Sequence, residues 1–137
     1  MTDGLEATGF VDPTDPAAVE QVLRAGLAGI GLAALLAQLS TVLPVQPGRP
    51  AGFLRAAQPT VLQVGQEELT LPARGPGRLR HVVGGIALST EPVAEHRVPA
   101  ALAGLLVRYV QEGRGPDAAA VLLTSLRDAA AAGGRLD

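Results

Sequence analysis

The sequence predicts an α+β fold: a long N-terminal helix, a three-stranded antiparallel β-meander, and a C-terminal αα-hairpin packed on the sheet. Three observations lead there. Residues 25–43 form a nearly continuous apolar run without a charge. Residues 60–89 fall into short Val-, Leu- and Thr-rich pieces punctuated by glycine and proline. Residues 99–132 carry leucine at helical spacing on an alanine background. A chain of 137 residues predicts one domain, over 13–137, behind an acidic flexible leader at 1–12.

The first helix is expected over 16–43. In 13-PTDPAAVEQ-21, Thr14 or Asp15 supplies the N-cap and Pro16 fits the first helical position. Pro44 cannot continue the helix and ends it. A helix of that length measures ~40 Å, more than a compact domain of this size needs. Gly26, Gly29 and Gly31 each weaken it by up to about 1 kcal/mol relative to alanine, unless another backbone packs against them. A helix apolar all round must be wrapped on every side. A second copy of the chain is the simplest source of that cover, through Gly26, Leu27, Ile30, Ala33, Ala34 and Ala37.

The linker 44–59 contains four prolines and reads as irregular, with Phe53 and Leu54 pinning it to the body. Strands follow at 60-TVLQV-64 and 69-LTLPA-73, joined by Gly65–Glu68. After the turn 74-RGPG-77, the stretch 78-RLRHVVGGIALS-89 reads as the third and longest strand. Leu79, His81 and Val83 share one of its faces, and Arg80 and Val82 share the other. The pair Gly84-Gly85 suggests a bulge or a close backbone approach. The helical hairpin spans 99–132. Leu102, Leu105, Leu106, Tyr109 and Val110 stripe its first helix, and Leu122, Leu123, Leu126 and Ala129 face inward from its second.

Composition excludes several chemistries. All eleven basic residues are arginine, so a Schiff-base or phosphate-loop lysine is ruled out. Without cysteine there is no thiol nucleophile, disulfide framework or cysteine-ligated zinc. With no Trp, one Tyr and two Phe, stacking on nucleobases lacks its usual platform. The alanine-, glycine- and arginine-rich usage, with neither lysine nor asparagine, fits a GC-rich bacterial-type genome. Five acids and no base precede Arg24, and the rest of the chain holds eleven arginines against eight acids. The net charge of −2 asks for no polyanionic partner. Nucleic acid is not expected, because the second helix of the hairpin offers only Arg127 as a base within 117–133.

Candidate sites are sparse. His81 sits mid-strand and could serve as a general base. Glu91, Glu95 and His96 follow the third strand and could share acid–base work; neither a metal nor a cofactor is expected from them. Against this stand a half-buried His81 satisfied by a carboxylate or carbonyl, and a solvated loop paired with Arg97. Arg74, Arg78, Arg80 and Arg97 could hold an anion through their planar forks, or simply form a soluble face. No GxGxxG or nucleophile-elbow pattern surrounds Gly84-Gly85 or any serine.

Three readings of function follow. The leading one is a non-catalytic, self-associating accessory or binding protein of the cytoplasm, using helix 16–43 as its interface. The second is a small acid–base enzyme of the isomerase or cyclase type acting on an apolar small molecule, with His81 or His96 beside Glu91 or Glu95. The third is a membrane-anchored subunit, since 25–43 approaches the ~20 residues that span a bilayer. Gln38, Ser40 and Thr41, and flanks without aromatic anchors, favour a buried helix over a span.

Overall fold

The computed structural model describes residues 11–46, 48, 58–72 and 76–135. Along the chain run α1 (Pro16–Leu39), β1 (Val45–Gln46), β2 (Thr60–Val64), β3 (Glu67–Leu71), β4 (Gly77–Val83), β5 (Ile86–Val93), a 3-10 turn (Glu95–Arg97), α2 (Val98–Gln111) and α3 (Pro116–Arg135). The class is the α+β class that the sequence predicts. The leader beyond Val11 and Asp12, and most of the linker with Phe53 and Leu54, lie outside the described residues.

Helix α1 starts as its sequence asks. The Asp15 carboxylate accepts from the amides of Ala17 (3.2 Å) and Ala18 (3.5 Å), and Pro16 takes the first helical position. Its end differs from the expected 16–43. The helix closes at Leu39, where Ser40 Oγ donates to the Ala37 carbonyl and Thr41 Oγ1 to the Gln38 carbonyl. Two hydroxyls thus satisfy carbonyls that a further helical turn would have used.

The straight rod is also corrected. Gly31 has φ 86 and ψ 164, a conformation open essentially to glycine alone, and it breaks α1 into two helical halves. Leu35 then reaches back, with Cδ1 3.4 Å from where a Gly26 β-carbon would lie. Along a straight helix these positions would be ~13 Å apart. Bending lets Leu35, Leu36 and Leu39 join Val19, Val22 and Leu23 in one core instead of overshooting it. By length and composition α1 still suffices to cross a bilayer, and 33% of its most apolar window is buried.

Among the described residues the sheet has five antiparallel strands in the order β1-β2-β3-β4-β5, not three. Part of the linker supplies β1, pairing Val45 with Leu62 and Gln46 with Val61. Between β2 and β3 only Gly65 and Gln66 remain as a turn, so Glu67 and Glu68 belong to β3. The long third strand is in fact a hairpin. Gly84 (φ 60) and Gly85 (φ 82) form its two-residue loop, and Val83 faces Ile86. Positive φ at both loop residues is the twist that suits a tight hairpin, which explains the glycine pair.

A bulge follows. His81 pairs with Ser89 and Val82 with Ala87, leaving Leu88 without an opposite on β4. Pro92 is tolerated because β5 is an edge strand and Pro92 faces Arg78. The Val82 amide donates to Gln66, on the β3 side (2.7 Å), so by alternation the Arg78 carbonyl also turns away from β5 and asks no donor of Pro92.

Leu62, Val64, Leu69, Leu71 and Val93 bury one sheet face, and α2 packs on β2. Helix α1 packs on both α2 and α3, while those two touch one another only sparingly. The expected hairpin of helices is therefore joined chiefly through α1, with α2 rather than the pair covering the sheet. Its leucine stripes hold, except that Ala129 is exposed. The end of the acidic leader docks here: Val11 is buried, and its amide donates to Thr124 Oγ1 at 3.2 Å.

Candidate functional site

Cross-strand pairing places the polar residues of the sheet. Glu67, His81 and Ser89 stand in a row on β3, β4 and β5, on the face that carries the core further along. His81 Nδ1 lies 3.6 Å from Glu67 Oε2, both half-exposed, so a carboxylate stands beside the imidazole at a distance longer than a hydrogen bond. Glu91, opposite Leu79, shares that face but is exposed. Glu95 and His96 sit in the 3-10 turn, exposed, and the His96 carbonyl accepts from Arg24 Nη1 at 3.3 Å. The histidine–acid pair in contact is therefore His81 with Glu67, a residue that sequence spacing left in a turn.

The arginines divide. Arg78 is exposed on the opposite sheet face, and Arg80 on that face holds Glu68 at 3.0 Å. Arg97 is exposed beside the start of α2, and Arg74 lies outside the described residues. Arg80 thus spends its charge within the sheet, and Arg78 and Arg97 keep theirs in water. Among the described residues no group of three or more His, Cys, Asp or Glu could hold a metal ion.

The interface candidates also divide. Gly26 is buried, facing Leu35 and Leu126, and Leu27 is half-buried. Ile30 (38% exposed), Ala33, Ala34 and Ala37 are on the surface. They surround the break at Gly31, within a sequence that carries no charge from Ala25 to Gly48.

Comparison with protein-family models, curated proteins and solved structures found no match. The site has to be argued from its own chemistry.

Two surface features escaped the sequence reading. The β4–β5 hairpin projects with Ile86 66%, Leu88 64% and Val83 37% exposed. A Gly-Gly pair between apolar residues was the signal for it. The second is a shallow groove of about 450 Å³ lined by Pro16, Gly104, Val107, Arg108, Gln111 and Glu112. At its rim Arg108 Nε approaches Glu112 Oε2 at 3.7 Å, and Gly65 stands so close that a β-carbon would lie 3.0 Å from that oxygen. No sequence signal marks the groove, because it joins the start of α1 to the end of α2.

Proposed function

We propose that the protein is a non-catalytic accessory or binding protein that self-associates through the outer surface of α1. The observation that carries the reading is that Ile30, Ala33, Ala34 and Ala37 are each exposed, in a segment with no charge. Apolar surface of this kind is stabilised by burial against a partner, at about 25 cal/mol per Å² removed from water. Small side chains let the two backbones approach closely, and an identical surface on the second copy makes a two-fold contact self-consistent. Gly26 belongs to the chain's own packing, so the contact narrows to the four exposed residues.

The test is a charge placed in that surface. Ala34→Arg should leave the helical circular dichroism unchanged and reduce the mass in light scattering to that of one chain. An assembly that survives Ala34→Arg and Ala37→Glu alike would remove α1 from the interface.

A second reading, a small acid–base enzyme, draws support from His81 and Glu67 at 3.6 Å. A carboxylate beside one imidazole nitrogen leaves the other open toward a substrate. Under that reading Glu67, rather than Glu91 or Glu95, positions the base. Both His81→Ala and Glu67→Gln would then abolish turnover of an apolar substrate.

A further inference from the structure

We infer that Gly31 is a hinge about which residues 11–30 exchange between two copies of the chain, giving a domain-swapped dimer. The break in α1 rests on one residue. Gly31 has φ 86 and ψ 164, and a β-carbon there would meet nothing within 4 Å. Nothing crowds the hinge residue itself, and the bend is held at a distance, by Leu35 against Gly26. Glycine makes the conformation accessible. Helix runs on both sides of it, so rotating this single residue to helical angles would produce one continuous helix over Pro16–Leu39.

The segment ahead of the hinge is tied to the rest of the chain by contacts that a second copy reproduces. The Val11 amide donates to Thr124 Oγ1 at 3.2 Å, and Arg24 Nη1 to the His96 carbonyl at 3.3 Å. Gly26 faces Leu126 and Leu35, and Gly29 faces Ala130. When the hinge straightens, residues 11–30 leave these partners and expose them. The one segment whose shape and donors fit that vacated surface is residues 11–30 of another identical chain. Exchange therefore restores each contact between copies and adds the helical hydrogen bonds lost at the break. The occupant is a second copy. The inference goes beyond the outer-surface contact proposed above, because it uses the inner side of α1 and holds whether or not Ile30 and Ala34 meet a partner.

A thiol cross-link separates the two arrangements, and the chain has no cysteine of its own to interfere. A β-carbon on Gly29 would lie 3.8 Å from the Ala130 α-carbon, within reach of a short bismaleimide that joins Gly29→Cys to Ala130→Cys. In the bent chain the link closes within one molecule. In the swapped dimer it joins two, whereas contact through the outer surface alone leaves it intramolecular. Adding Gly31→Ala to this pair should raise the covalent dimer on a denaturing gel about tenfold, since alanine favours the continuous helix and disfavours positive φ. Covalent monomer at the same level with Gly31 and with alanine, in folded protein, would overturn the inference. If the alanine chain fails to fold, the cysteine pair with Gly31 intact is refolded over a range of concentrations. Covalent dimer that grows with concentration supports exchange, and covalent monomer throughout overturns it.

Discussion

Leu35 packs on Gly26. Its Cδ1 lies 3.4 Å from the position of a Gly26 β-carbon, although the two stand nine positions apart in the sequence. This contact is the keystone of the bent α1, and it leaves no room at position 26 for a large side chain. Leu126 closes the same spot from α3, at 3.8 Å.

Substitutions at Gly26 should therefore divide by size. Gly26→Ala fits at ordinary contact distance and gains helix propensity, so stability should hold or rise by up to about 1 kcal/mol. Gly26→Leu must displace Leu35 or Leu126 and should destabilise by about 1–3 kcal/mol. Urea unfolding followed by circular dichroism measures both. Equal effects from the two would mean that α1 does not fold back on itself.

The tip of the β4–β5 hairpin should tolerate polarity and resist branching. Ile86→Ser and Leu88→Ser replace exposed side chains and should change stability by no more than about 0.5 kcal/mol. Gly84→Val forces a branched residue to positive φ and should lose about 1–2 kcal/mol, whereas Gly84→Asn should be accepted. Amide hydrogen exchange of Val83 and Ile86 reports whether the tip frays in each variant.

In the core, Leu102 and Leu23 are fully buried, on α2 and α1 respectively. Leu102→Ala should destabilise by about 2–5 kcal/mol, through lost burial and the cavity left behind. Ala25→Ser, exposed on α1 and outside the proposed contact, should leave the unfolding midpoint almost unmoved. The contrast tests which side of α1 the chain covers by itself.

At the start of α1, the Thr14 hydroxyl and then the Thr14 amide donate to the Asp12 carboxylate, at 2.7 and 2.9 Å, and hold its pKa below the ordinary value. These bonds favour the charged form, so their contribution to stability is present above the ordinary carboxylate range and is lost as pH falls through the lowered pKa. Thr14→Ala should bring the Asp12 titration in an NMR experiment back up toward the ordinary carboxylate value. An unshifted titration in the native chain would contradict the turn that presents Val11 to Thr124.

Much of this architecture is written locally. Asp15 and Pro16 announce the start of α1, and the leucine stripe of α2 marks its buried side correctly. Local chemistry does not say which of three glycines breaks α1. Gly26 and Gly29 face Leu35, Leu126 and Ala130, while Gly31 faces nothing, a distinction made only by tertiary packing. The Gly84-Gly85 turn was legible in principle, since both a bulge and a hairpin loop use glycine, and the apolar residues on either side decide between them. Glu67 became the partner of His81 through strand register. A two-residue turn at Gly65-Gln66 puts Glu67 in β3, whereas the four-residue turn expected from the spacing does not. Strand alternation alone puts Arg78 and Arg80 on one face, but the hold of Glu68 on Arg80 depends on that same register.

The proposed role depends on a second copy covering the uncharged surface of α1, and the solution mass of the unaltered chain tests it most directly. Multi-angle light scattering across a dilution series should return a whole-number multiple of 13.9 kDa that falls toward the single-chain value only at low concentration. A constant 13.9 kDa at every concentration would contradict the account.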